Sequence, residues 1–130
     1  IEFVDRHPDQ IFVLDHIAKP TIHRDWFDDE WAKNVRKLGQ RENVACKFSG
    51  VATEVHDPVW SVESIRPYWD VALEAFGTKR LMYGSDWPVC LLAGSYAHVF
   101  ALVENYTNKL SAAARAKFFG GNAARFYGLK

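Results

Sequence analysis

The sequence predicts an α/β fold with a parallel sheet. Three short apolar runs, near residues 11–16, 43–49 and 80–86, read as strands, and stripes of helical period fall between and after them. The connections are too long for hairpins and carry helices, as parallel neighbours joined by right-handed crossovers require.

Each element has a local reason. Ile11 to Asp15 is a continuous apolar run closed by an acid, and Asn43 to Gly50 alternates around Val44, Cys46 and Phe48. In the third run, Leu81, Met82 and Tyr83 lead into Gly84 and Ser85 after the turn signal Gly77-Thr78. Such runs suit strands covered on both faces. Phe27, Trp31, Val35 and Leu38 share one face of a helix over 27–38, with Asp28, Asp29 and Glu30 in its first turn, Arg36 and Lys37 in its last and Gly39 beyond. Pro67 suits a first helical position, and Trp69, Ala72, Leu73 and Phe76 continue that helix over 67–76. Tyr96 to Tyr106 forms a third helix; Ser111 caps a fourth that Gly120-Gly121 stops, and Asn122 caps a last turn with Phe126 and Tyr127. Ile1 to Pro8 reads as the end of a helix. Three strands leave both sheet edges unpaired, so more of the sheet is expected outside these 130 residues.

Composition excludes several classes. Hydrophobic content of 48% argues for a folded core, and 16 basic residues against 16 acidic ones leave no net field for nucleic acid or an anionic membrane. No apolar run spans a bilayer and no signal-peptide layout opens the chain, so a cytoplasmic location is expected. Cys46 and Cys90 are too few and too far apart for a disulfide or zinc scaffold.

In parallel α/β sheets, functional groups gather where strands end at their carboxyl side. Three polar strand ends meet that condition: Asp15-His16, Lys47 and Ser49 before Gly50, and Ser85-Asp86. A carboxylate and an imidazole on one rim can act as base and electrophile toward a carbonyl, or jointly hold a metal. Singly, each has a plain structural reading, Asp15 or Asp86 as a loop cap and His16 as a satisfied polar group. Together they weigh toward a site, because ionisable groups at the ends of apolar strands are costly without a use. Strand parity turns Lys47 and Ser49 away from the helix-covered face, where Lys47 either reaches a solvated pocket or pairs with a neighbour such as Asp86. His23, Glu54 and His56 lie in rim loops and are weaker candidates; His7 and His98 read as structural. Trp26, Trp31, Trp60 and Trp69 read as helix packing, whereas Trp87, next to Asp86, can wall a pocket.

These segments resemble a known family. Leu14-Asp15-His16-Ile17-Ala18-Lys19-Pro20, Asn43 to Gly50, Arg80 to Val89 with its Gly84-Ser85-Asp86-Trp87-Pro88 run, and Gly120 to Tyr127 are similar to the amidohydrolase 2 group of TIM-barrel hydrolases, especially its sugar-lactone and dicarboxylate-lactone branch. Ala18 stands where a glycine is common. The resemblance implies that residues 1–130 are the C-terminal part of a single barrel domain, its last three strand–helix units of eight, in a fold of roughly 250 residues. It further implies a hydrolase that opens a lactone, with Asp86 as general base, His16 polarising the carbonyl, and Lys47, Ser49 and Trp87 contacting substrate. A metal-dependent amidohydrolase or decarboxylase, with His16 and Asp86 as ligands, is the alternative, and a noncatalytic fragment is the third. The cofactor stays open between one divalent ion such as zinc and none. The first-strand His-x-His pair of that family has no counterpart here, so the fragment alone is expected to be inactive. Its partners are expected to be a small-molecule substrate and either the rest of the barrel or a second copy, with no nucleic acid and no membrane. The flanks of Phe12, Leu14, Met82 and Tyr83 are expected to lie exposed without that partner.

Overall fold

A short helix α1 (Glu2–Asp5) precedes strand β1 (Phe12–Leu14), helix α2 (Asp29–Gly39), strand β2 (Val44–Phe48), helix α3 (Val62–Arg80) and strand β3 (Leu81–Tyr83) in a computed structural model that describes residues 1–129. Helices α4 (Tyr96–Thr107), α5 (Ala112–Ala116) and α6 (Asn122–Tyr127) follow. The strands are parallel in the order β1-β2-β3, with Leu14 opposite Cys46, and Lys47 opposite Met82. All three fall inside the expected ranges, and the expected parallel pairing of sequential strands is present.

The core lies on the helix-covered face of the sheet. Phe48 from β2 meets the edge of Trp69 at 5.1 Å and Tyr106 at 6.2 Å, and Trp69 also contacts Phe118 at 5.3 Å. Aromatic side chains of three helices thus close over one strand, with edge-on geometry that favours such pairs. Cys46 is buried and unpaired, and burial pushes its thiol pKa up.

Three local expectations are corrected. Helix α3 starts at Val62, well before Pro67, because Ser61 and Ser64 form a reciprocal capping box in which each hydroxyl accepts from the other's backbone N–H, satisfying orphan donors of the first turn; Pro67 sits inside the helix. Gly120-Gly121 does not stop the fourth helix: the chain widens through a π-turn over Lys117–Gly121 and continues directly into α6. Asn122 caps nothing; its side-chain amide donates to the carbonyls of Thr78 at 2.9 Å and Leu81 at 2.7 Å, fastening α6 to the start of β3.

Two packing expectations also change. Met82 is fully buried rather than an exposed flank and Tyr83 is half-buried, because the chain's own C-terminal segment packs against β3; Phe12, which meets Phe3 at 5.7 Å, and Leu14 are half-buried as well. Trp26 is exposed rather than packed into the core, and its ring meets the edge of His23 at 6.2 Å. Gly39 is the last residue of α2, where it faces α3 so closely that a Cβ would lie 2.5 Å from the carbonyl oxygen of Ala75. Among the described residues no helix is long and apolar enough to cross a membrane.

Candidate active site

All three strands leave the sheet at the same rim through left-handed backbone. After β1, His16, Ile17, Ala18 and Lys19 have φ of 50°, 45°, 60° and 50°, a continuous left-handed turn built without a glycine. Such a turn costs about 1–2 kcal/mol per residue, so tertiary contacts must hold it. After β2 comes Gly50 at φ 65°, and after β3 comes Asp86 at φ 55°.

That backbone brings the polar strand ends together. His16 Nδ1 lies 2.8 Å from the hydroxyl of Ser49, while its Nε2 lies 3.4 Å from Asp15 Oδ2 and 3.7 Å from Asp86 Oδ1. Gly50 makes the approach possible: a Cβ there would stand 2.9 Å from His16 Nδ1 and 3.1 Å from Asp86 Oδ2. Gly84 does the same beneath them, since its Cβ would meet Lys47 Cδ at 2.7 Å and Ser49 Cβ at 2.8 Å. Both positions require a bare backbone.

Lys47 lies on the sheet face opposite Phe48 and its aromatic cluster, as parity predicts. Its ammonium pairs with Asp15 Oδ1 at 2.9 Å, so the partner is Asp15 and not Asp86. Partial burial pushes the Asp15 carboxyl up, but the hydrogen bond from Lys47 and the neighbouring His16 and Lys47 outweigh it and hold the pKa below the ordinary value. Burial likewise pulls the Lys47 ammonium down, yet the bond to Asp15 wins and raises it. Tyr127 of α6, read from sequence only as part of a helical turn, brings its ring to 6.0 Å from the same ammonium.

Exposure separates the candidates. The side chains of Asp86 and His16 are 15% and 27% exposed, open enough for a ligand and closed enough to strengthen their interaction. Ser49 is 3% exposed and already bonded to His16, whereas Trp87 stands 64% exposed beside Asp86. Glu54 pairs with Lys19 at 2.8 Å, and His23 stacks at 5.2 Å on His56, in the bridged loops beyond the strand ends. His98 packs on Trp60 at 4.4 Å and His7 on Phe3 at 5.0 Å. A cavity of about 240 Å³ between the loops after β2 and β3, lined by Thr53, Asp57, Trp60 and Ala93 among others, contains none of the five expected site residues. They stand on the open rim instead.

A catalytic zinc takes three protein ligands. Among the described residues no cluster of three or more His, Cys, Asp or Glu side chains is placed to hold a metal, and His16 with Asp86 would supply two. These residues on their own do not complete a metal site. What they can do is hold a proton donor and a carboxylate base within one contact of each other, beside an ion-paired lysine.

Sequence and structure comparisons relate the chain to known proteins. The family model described as Amidohydrolase matches residues 1–129. A protein from Burkholderia multivorans named L-fucono-1,5-lactonase is 43% identical over 98% of this chain and 46% of its own length; one of the same name from Burkholderia ambifaria is 38% identical over 98% and 44%. Crystal structures of an amidohydrolase from Burkholderia multivorans, one with bound HEPES and one with bound zinc, are each 43% identical and superpose with TM-scores of 0.91 and 0.90, covering 99% of this chain and 48% of theirs. The chain therefore spans about half the length of the relatives it matches. With the family model covering all described residues and the same fold found at 43% identity, the chain belongs to the amidohydrolase family.

Proposed function

We propose that these residues are the last three strand–helix units of a (β/α)8 barrel and that the whole barrel hydrolyses a lactone, a cyclic ester of a sugar acid or dicarboxylic acid. One observation carries the reading: His16 and Asp86 converge at 3.7 Å over the bare backbone of Gly50, at the rim where such barrels place their chemistry. The lactonase names of the relatives supply the substrate class. An apolar groove beside the unpaired edge of β1, lined by Leu14, Trp31, Val35 and Leu38, lies where the preceding barrel unit would pack.

Each residue then has a task. Two carboxylates face His16 Nε2, which favours a proton there; the Ser49 hydroxyl donates to Nδ1 and keeps that tautomer. Nε2–H donates to the lactone carbonyl oxygen and polarises it. Asp86 takes a proton from water as the water oxygen bonds to the carbonyl carbon, and returns it to the ring oxygen when the ester C–O bond breaks. Lys47 meets the substrate's hydroxyl or carboxylate groups, and Trp87, next to Asp86, meets its ring face. Ser49 acts on substrate through His16. A hydroxy acid is the product.

The zinc in the Burkholderia multivorans structure favours a second reading, in which His16 and Asp86 join ligands from outside this chain to hold a divalent ion. Metal analysis of the full-length protein, with lactone turnover measured before and after chelation, separates the two. Full turnover without metal supports the first reading. In either case Asp86→Asn should abolish most of kcat with the fold intact, and near wild-type turnover would refute the role of Asp86.

A further inference from the structure

The turn that carries His16 runs against the backbone preference of its own residues, and beyond the contacts of the imidazole itself two contacts from other elements grip it. The indole Nε1–H of Trp31, in the first turn of α2, donates to the carbonyl of Ile17 at 2.6 Å, and Ile17 itself is fully buried. The second contact is the ion pair between Lys19 and Glu54, with the lysine mostly exposed. Exposed pairs of this kind contribute little, whereas a buried carbonyl that loses its donor is costly, so the indole is the stronger hold.

Trp31 is built to stay still. Its own backbone N–H donates to the side chain of Asp28 at 2.9 Å, the helix cap, and its ring lies against Tyr68 at 5.0 Å and Phe27 at 6.4 Å. Tyr68 in turn donates to the carbonyl of Thr21, just beyond the turn. A side chain whose rotamer is fixed by a cap and two rings can set the position of a distant carbonyl.

We infer that Trp31 is a positioning residue for His16: its indole N–H locks the left-handed turn at Ile17, and the locked turn aims the imidazole at Asp86 while keeping Nδ1 on Ser49. The kinetic consequence rests on the reading of His16 as a reacting group; the geometric one does not.

The test uses the full-length protein. Trp31→Phe keeps a ring in the core and removes the donor, and should lower kcat on a lactone at least tenfold with KM within about twofold. The imidazole ¹⁵N resonances of His16, read without substrate, should move toward the average of the two tautomers. Adding Ala18→Gly, which accepts a positive φ without a Cβ clash, should bring both readouts back toward wild type. Should Trp31→Phe fail to fold, a benzothienyl-alanine at that position, with sulfur replacing the N–H, carries the same expectation. Unchanged His16 resonances in the donor-free protein, or a double variant no closer to wild type than the single one, overturns the inference. A wild-type protein that hydrolyses no lactone overturns the proposed reaction instead, while the resonances still decide the role of Trp31.

Discussion

The two ends of the sheet use charge in opposite ways. At the amino end, the guanidinium of Arg80 donates to the carbonyls of Arg41, Val44 and Gly39 at 2.7–2.8 Å and reaches Ala75 at 3.3 Å. Asn122 does the same for Thr78 and Leu81 beside it. The donors of Arg80 and Asn122 all answer backbone carbonyls at helix and strand ends. At the carboxyl end, by contrast, Lys47, Asp15, His16 and Asp86 answer one another, side chain to side chain, on strained left-handed backbone. Polar groups that complete the backbone hold the fold; polar groups that face each other remain available to a ligand. Burial lowers the pKa of Arg80, yet an arginine stays charged at any working pH, as a structural cation must.

The comparison predicts that the two ends fail differently. The largest effect belongs to Asp86→Asn in the full-length protein, a fall in kcat of about 10²–10⁴ with thermal stability nearly unchanged; steady-state kinetics beside a melting curve checks both halves. Arg80→Met should do the reverse. Leaving several part-buried carbonyls without a donor should cost about 2–4 kcal/mol in denaturant unfolding, while kcat per folded molecule stays within about twofold. A kinetic defect in Arg80→Met larger than its stability loss would erase the division between the ends.

Smaller changes sharpen it. Lys47→Met should raise KM for an anionic or hydroxylated lactone about tenfold, close to 1.4 kcal/mol, with kcat less affected; an unchanged KM would return Lys47 to a structural ion pair with Asp15. The smallest effect is that of Asp15→Asn, under about 1 kcal/mol because the pair is partly exposed. Its sign follows from the two pKa directions. The Asp15 carboxyl is held below its ordinary 3.8, so its contribution is present above that pH and disappears as pH falls through the lower folded value. The Lys47 ammonium is raised above 10.5, so its contribution is present below that pH and disappears as pH rises through the higher folded value. The stability gap between wild type and Asp15→Asn should therefore be flat between these limits and close outside them, which urea titrations across pH will show.

Much of the scaffold was legible because it is local. Apolar runs of strand length, acids before a helix and bases at its end are read within one element, and the three strands and α2 fall where those signals put them. The errors arose where a signal was outweighed nearby. Pro67 marks a helix start, but the Ser61–Ser64 box opens α3 earlier; a glycine pair marks a stop, but a π-turn lets the helix run on. Parity puts Lys47 on the correct face, yet its partner Asp15 comes from the neighbouring strand's end, which parity does not describe. Trp31 was legible as packing, and its indole bond to Ile17 was not.

The sequence by itself determined the parallel α/β sheet, the faces of its strands and the three polar ends that share a rim, because alternation and helical period act over a few residues. Only the tertiary structure decided the direction of His16. No local preference would turn His16, Ile17, Ala18 and Lys19 left-handed, so that conformation exists through contacts made from afar, the indole of Trp31 above all, and through the space that Gly50 leaves open.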